Sequence, residues 1–246
     1  LILNILITKK LMPFYRNQLL DQPNIRSSHN FAKPKGGGIS FILSSYFGFF
    51  FLKNYIPFLF APLAFIGLLD DKHNIPSSIR YVTQFITSFI LIIIFLEKFN
   101  LLNFYQSFIV IVCWQLLATG LINFTNFMDG IDGLVAFLMI VILTTDAIIN
   151  SRFSSLPLLV SLISFLFWNW DPSKLFMGDI GSTFLGVYLP YIIISSTSLH
   201  NGMAIFVISS PLWLDALTCL IRRFMNSENI FRPHKKHLYQ RLTQAG

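Results

Sequence analysis

Residues 105–122 read YQSFIVIVCWQLLATGLI, eighteen positions without a charge, and residues 79–96, IRYVTQFITSFILIIIFL, hold Arg80 as their single charge. Crossing the hydrocarbon core of a bilayer takes about 20 helical residues, so each stretch is sized to span a membrane. Six further apolar runs fall near 39–52, 55–69, 133–149, 155–169, 183–198 and 202–221. Leu1 to Thr8 is apolar but too short to cross alone, and it lacks the charged region and cleavage site of a signal peptide. It reads as the end of a truncated first span. The expected fold is therefore all-α: a polytopic transmembrane helical bundle of about eight spans plus that truncated N-terminal span, one domain over residues 1–246.

Composition agrees. The chain is 54% hydrophobic and 12% charged, with 27 Phe, whereas a soluble domain carries roughly a quarter charged residues. Cys113 and Cys219 lie inside apolar runs and read as small buried hydrophobes, with no disulfide framework or CxxC pair. Pro57, Pro62, Pro157, Pro190 and Pro211 fall within the runs, where neighbouring helices can satisfy freed backbone groups.

The net charge of +7 has a topological explanation. Numbering the loops alternately puts Lys53, Lys98 and Arg152 on one side and the other 15 of the 18 basic residues on the opposite side. The crowded side is cytoplasmic by the positive-inside rule, and nucleic acid is not needed to explain the basic balance. Most acidic residues gather on the same side, so a site built from them opens to the cytoplasm.

Five segments on that side could carry chemistry. Asp70 and Asp71 end an apolar run, and as helical neighbours they point about 100° apart, so one ligand would not meet both alike. One could accept a proton while the other contacts a cation or substrate; on composition alone, a solvated helix end marking the membrane boundary is slightly favoured. In NFTNFMDGIDGL, residues 123–134, Asn126, Asp129 and Asp132 are three apart and would share a face if the segment is helical. Gly130 and Gly133 allow close approach of backbone or ligand. The EF-hand pattern is absent, and carboxylates beside two glycines at a membrane-helix end favour a functional role over plain turn chemistry. In FMGDIGST, residues 176–183, Asp179 between glycines suits a hard cation, and Ser182 could add a hydroxyl or cap the next helix; capping alone is an even rival.

In PHKKHLYQRL, residues 233–242, His234, His237 and Arg241 form one helical stripe suited to a diphosphate, since arginine grips phosphate oxygens in bidentate fashion. Zinc is disfavoured for want of further ligands. A basic tail drawn to anionic lipid is the alternative. In RSSHNFAKPKGGG, residues 26–38, Lys33 and Lys35 adjoin three glycines that could form an anion-binding concavity. This is no Walker A loop, because lysine precedes the glycines, and a flexible cytoplasmic loop is the rival reading.

Taken in order, RSSHNFAKPKGGG, DDKHNIPSSIRYVTQ, NFTNFMDGIDGL, FMGDIGSTFLG and PHKKHLYQRL resemble the motifs of the polyprenyl-phosphate N-acetylhexosaminyl-1-phosphate transferases, glycosyltransferase family 4. They span residues 26 to 242. The resemblance implies a Mg²⁺-dependent phosphoglycosyltransferase, with Mn²⁺ as an alternative ion, that moves a sugar-1-phosphate from a UDP-sugar to polyprenyl (undecaprenyl) phosphate and releases UMP, initiating a cell-envelope glycan at the inner (plasma) membrane. It implies Asp179 as the metal ligand, and Asp70 and Asp71 as base or second contact to metal and lipid phosphate. Asn126, Asp129 and Asp132 would serve the nucleotide and catalytic pocket, and His234, His237 and Arg241 the donor's diphosphate or sugar. Lys33 and Lys35 would bind substrate. The C-terminal motif has two separated histidines rather than the contiguous three of the muramoyl-pentapeptide branch, which favours the branch that starts O-antigen, capsule or teichoic acid. Self-association as a homodimer is left open. Two rivals stand outside the family: a transporter, which predicts carboxylates near the bilayer midplane, and a membrane scaffold, which would tolerate loss of Asp179.

Overall fold

The computed structural model describes residues 1–22, 31–99 and 103–227. Ten α-helices occur among them: α1 (Ile2–Gln18), α2 (Gly38–Phe51), α3 (Ala61–His73), α4 (Ser77–Phe95), α5 (Phe104–Phe127), α6 (Leu134–Ile149), α7 (Leu156–Asn169), α8 (Gly178–Ile194), α9 (Leu199–Ile208) and α10 (Ser210–Met225). Two-residue strands, β1 (Leu20–Asp21) and β2 (Lys33–Pro34), pair antiparallel, with Leu20 opposite Pro34 and Asp21 opposite Lys33. The apolar runs of the sequence became helices, and two of them are divided: the run at 55–69 falls into a 3₁₀ turn, Ile56–Phe60, followed by α3. The run at 202–221 divides into α9 and α10, bent by 66°. Pro211 in the first turn of α10 has no N–H to continue α9, and the corner is filled by Trp213 stacked on Phe206 at 4.7 Å, its Nε1–H donating to Ser209 Oγ at 3.2 Å.

The prolines are less disruptive than the sequence implies. Pro57, Pro62, Pro157 and Pro211 all occupy first turns, where an N–H would be unpaired anyway. Of the five, Pro190 alone lies in a helix interior.

α4 reveals the solvent for which the bundle is built. Its buried residues include Gln84, Thr87 and Ser88, while Val82, Phe85, Ile86 and Ile93 are exposed. In water that arrangement would be inverted; apolar side chains facing outward and hydrogen-bonded polar ones inward fit a lipid surround. The inward groups are satisfied: Gln84 and Asn123 of α5 exchange amide hydrogen bonds at 3.2 and 3.0 Å, and Trp114 Nε1–H donates to the Ser88 carbonyl at 3.1 Å. α4 and α5 are each long and apolar enough to cross a bilayer, α9 and α10 together make a third candidate, and α2, α6, α7 and α8 are shorter apolar helices. The chain is a helical membrane protein.

α8 is the hub. Where apolar burial gains little over lipid contact, helices associate through close packing at small residues. A Cβ on Gly38 would lie 2.5 Å from the Gly181 Cα, one on Gly67 2.6 Å from the Asp179 carbonyl oxygen, and one on Gly186 2.9 Å from the Ile122 backbone. These three contacts seat α2, α3 and α5 directly on α8. At the far end of α8, Arg152 donates to the Ser195 carbonyl at 2.8 Å and pairs with the fully buried Asp146 at 3.0 and 3.1 Å. A cation at a helix C-terminus is favoured by the helix dipole.

Candidate active site at one end of the bundle

α3 ends at His73 because Asn74 takes a left-handed conformation, φ 48°, and the chain returns as α4 after Pro76. This tight reversal carries Arg80, in the first turns of α4, back beside Asp70. Arg80 Nη1 contacts Asp70 Oδ2 and lies 3.7 Å from Asp179 Oδ2; its Nη2 donates to Asn126 Oδ1 at 3.3 Å. Asn126, in the last turn of α5, turns its Nδ2 to Asp179 Oδ1 and to Ser182 Oγ, both at 2.8 Å. Three helices thus meet at the first turn of α8 through one guanidinium and one amide.

Asp70 and Asp71 diverge as helical neighbours should. Asp71 Oδ2 accepts from the Ile180 backbone N–H at 3.1 Å, and its Oδ1 lies 3.4 Å from Lys35 Nζ. A carboxylate on a free N–H of the α8 N-terminus is stabilised by the helix dipole as well. Gly178 makes this possible: it has φ +77°, and a Cβ there would lie 2.6 Å from Asp71 Oδ2. The Asp71 side chain is 2% exposed, that of Asp70 8% and that of Asp179 34%. Asp179 is therefore the carboxylate most open to an incoming ligand.

The expectation that Asn126, Asp129 and Asp132 share a helical face is corrected. α5 stops at Phe127, and Asp129 and Asp132 lie in the connection to α6. Gly130 and Gly133 are poor helix formers; Gly133 adopts φ +75° and its N–H donates to Asn169 Oδ1 at 3.1 Å. The loop aims the two aspartates differently. Asp129 stays with the main cluster, and its carboxyl is pushed well above the usual range, first by desolvation and then by the charges of Asp179, Asp71 and Asp132. Asp132 turns to the neighbouring edge, where Oδ2 accepts from Ser173 N–H at 2.9 Å and lies 3.4 Å from Lys33 Nζ. Lys33 also donates to Ser173 Oγ at 3.1 Å and sits 5.0 Å over the Phe176 ring.

The glycines at 36–38 do not cradle an anion with the N–H groups of Gly37 and Gly38, which donate at 2.9 Å to the Phe176 and Met177 carbonyls. Phe176 N–H in turn donates to the Pro34 carbonyl at 2.9 Å. This stitching fixes Lys33 and Lys35 beside the start of α8. Ser182 is no cap either: its hydroxyl accepts from Asn126 and reaches the Gly178 carbonyl at 3.3 Å. His234, His237 and Arg241 lie outside the described residues.

The structure therefore gathers Asp70, Asp71, Asn126, Asp129, Asp179 and Lys35, with Lys33 and Asp132 adjoining. Arg80 is the residue that sequence reasoning passed over as a site residue. Its signal was available, as the only charge in an otherwise uncharged run.

Among the described residues no three His, Cys, Asp or Glu side chains converge as a metal cage. Mg²⁺ does not need one, because it binds through one or two carboxylates together with substrate phosphates and water. The fit is supported by Arg80, whose Nη1 stands as a cation between Asp70 and Asp179. The donor set, oxygen-only and partly open, would suit a hard divalent ion.

Comparison with known proteins places the whole chain among relatives. The chain is 29% identical to the probable undecaprenyl-phosphate N-acetylglucosaminyl 1-phosphate transferase of Bacillus subtilis, over 92% of this chain and 70% of that protein. It is 29% identical to the undecaprenyl-phosphate alpha-N-acetylglucosaminyl 1-phosphate transferase of Thermotoga maritima, over 97% of this chain and 78% of that one. To the protein of the same name from Escherichia coli K12 it is 26% identical, over 93% and 70%. The sequence profile of glycosyl transferase family 4 matches residues 54–197, from before α3 through the end of α8. With more than half its length inside that match, the chain belongs to glycosyl transferase family 4.

Proposed function

We propose that this chain transfers N-acetylglucosamine-1-phosphate from UDP-N-acetylglucosamine to undecaprenyl phosphate at the cytoplasmic face of the inner membrane, releasing UMP. The observation that carries the reading is the meeting of Asp70, Asp71, Asn126 and Asp179 with Arg80 and Lys35 at one end of a lipid-facing bundle. Two phosphorylated substrates, one soluble and one in the bilayer, can meet only at such a rim. A transporter would instead keep its carboxylates near the midplane.

In the reaction an oxygen of the lipid phosphate attacks the β-phosphorus of the donor. The bond from that phosphorus to the bridging oxygen breaks, and UMP leaves with the bond's electron pair. Phosphoryl transfer requires positioning and charge neutralisation above all. Bound Mg²⁺ would neutralise phosphate oxygens here, held by Asp179 with Asp70. Asn126 fixes the rotamer of Asp179, and Ser182 braces Asn126. Lys35 and Lys33 offer cations to the diphosphate, and Asp129, with its raised affinity for a proton, is placed to exchange one. Asp132 orients Lys33.

The prenyl chain has a place to lie. A cavity of about 460 Å³ between α4, α5 and α10 is lined by Tyr81, Phe85, Leu116, Asn123, Phe127 and Leu220 among others. Asn123 is one helical turn from Asn126, so a tail in this groove would bring its phosphate to the carboxylates. The 15-to-3 distribution of basic residues supports a cytoplasmic rim, and about eight spans follow if each helix or broken pair after α1 crosses once.

Membranes containing the protein, given UDP-N-acetylglucosamine, undecaprenyl phosphate and Mg²⁺, should yield lipid-diphospho-N-acetylglucosamine by mass. Asp179→Asn should abolish it. Undiminished product from that variant would refute the metal assignment, and product only from UDP-N-acetylmuramoyl-pentapeptide would refute the donor.

A further inference from the structure

The Arg80 guanidinium is held by three acceptors at the gap between α3 and α8. Nη1 is shared between Asp70 Oδ2 and Asp179 Oδ2, and Nη2 is taken by Asn126 Oδ1. The side chain is only 22% exposed, so the charges interact through a medium that screens less than water. A small divalent ion that engages Asp179 and Asp70 must occupy the position Nη1 now fills. Two cations cannot share it. Among the described residues the nearby lysines are engaged elsewhere: Lys35 approaches Asp71 Oδ1, and Lys33 approaches Asp132.

We propose that Arg80 is a built-in counter-cation that competes with the divalent ion for the Asp70–Asp179 gap, so that the ion binds firmly only when a substrate diphosphate arrives. The diphosphate supplies what the exchange lacks. Its oxygens complete the ion's coordination, and they offer the displaced guanidinium a bidentate partner in place of the carboxylates. Arg80 thus acts as a positioning residue that links metal loading to donor binding. By linkage the effect is reciprocal, with the ion strengthening donor binding by the same factor. The benefit is protection: with the gap closed by its own arginine, the rim is not a standing metal trap. This inference rests on the proposed function only in taking a divalent ion to bind between Asp70 and Asp179.

The test is Mn²⁺ binding to purified, substrate-free protein in detergent, read by electron paramagnetic resonance of the free ion. Arg80→Gln should raise Mn²⁺ affinity by roughly 5- to 150-fold, the usual span of coupling between sites, and Asp179→Asn in the same background should remove the gain. Lys35→Gln, which deletes a nearby charge without opening the gap, should change affinity much less. Added UDP should strengthen Mn²⁺ binding to the wild type far more than to Arg80→Gln. If Arg80→Gln does not fold, Arg80→Lys carries the test, because it keeps the charge but loses the fork to Asn126 and should also bind Mn²⁺ more tightly than wild type. Unchanged or weaker Mn²⁺ binding on loss of Arg80, or an equal gain from Lys35→Gln, overturns the inference while leaving the transferase reading intact. Absence of any Asp179-dependent Mn²⁺ binding in both proteins sinks the metal site and this inference together.

Discussion

Gly178→Ala tests whether the first turn of α8 is shaped around Asp71. At φ +77° an alanine is forced into the left-handed region, which costs about 1–2 kcal/mol for a residue with a Cβ. The new methyl would also lie 2.6 Å from Asp71 Oδ2 and 2.8 Å from the Gly36 backbone nitrogen. Neither neighbour can yield freely. Asp71 is pinned between Ile180 N–H at 3.1 Å and Lys35 at 3.4 Å, and Gly36 belongs to the segment stitched to Phe176 and Met177. Expelling Asp71 forfeits a hydrogen bond to a charged group, about 1.5–3 kcal/mol, so the whole penalty is on the order of 3–5 kcal/mol. Two readouts separate the consequences. Retention of folded protein after heating in detergent reports stability, and transfer of labelled N-acetylglucosamine-1-phosphate to undecaprenyl phosphate, normalised to folded protein, reports the site. Both should fall. Wild-type melting with wild-type turnover would show that Asp71 needs no such seat, and the account of the α8 entry would be wrong.

Three further outcomes follow from the same packing. Breaking the pair at the far end by Arg152→Met should destabilise the protein by about 3–5 kcal/mol, since it strands a buried carboxylate; the double variant Asp146→Leu/Arg152→Met should recover much of the loss in the same heating assay, and a double variant worse than the single would contradict this. Gly38→Val should prevent α2 from seating on α8, because a Cβ would meet the Gly181 backbone at 2.5 Å, and failure to see reduced folded yield would remove that contact from the account. The third concerns pH. Asp129 has its carboxyl raised in the folded state, so its contribution to stability is present in full below the unfolded carboxylate pKa and is lost as pH rises through the folded value. Divalent-free protein should therefore melt lower as pH rises above the ordinary carboxylate range. Asp129→Asn should flatten that slope, and a slope unaltered in the variant would clear Asp129 of the effect.

The legible part of the site was its inventory. Asp70, Asp71, Asn126, Asp129 and Asp179 were visible because carboxylates beside apolar runs are costly and conspicuous. Their geometry was less so. Three-residue spacing suggested a helical face for Asn126, Asp129 and Asp132, yet Gly130 and Gly133 broke the helix, and the loop sent Asp132 to Lys33 and Asp129 to the main cluster. Arg80 escaped notice for the opposite reason. A lone arginine in an apolar run reads as a topology signal, and only the reversal at Asn74 and Pro76, which sets α4 beside α3, shows that it closes on Asp70.

The order of the helices within the bundle was hidden for a physical reason. In water, the face of a helix that packs inward announces itself by being apolar. In lipid both faces are apolar, so α8, with 14 of its 17 residues buried, and α4, with 5 of 19 buried, look alike by hydropathy. Two signals survive the change of solvent. Polar side chains turn inward to find partners, as Gln84, Thr87 and Ser88 do on α4. Small residues mark where backbones touch, as Gly181 and Gly186 do on α8. Read by those signals, α8 is identifiable from sequence as the helix the others pack against: it brings glycines to two neighbours and begins at Asp179, the most open carboxylate of Asp70, Asp71 and Asp179. The placement follows from the function proposed. An ion ligand that would hold two phosphorylated substrates in register belongs on a helix walled in by its neighbours, as α8 is with 14 of its 17 residues buried.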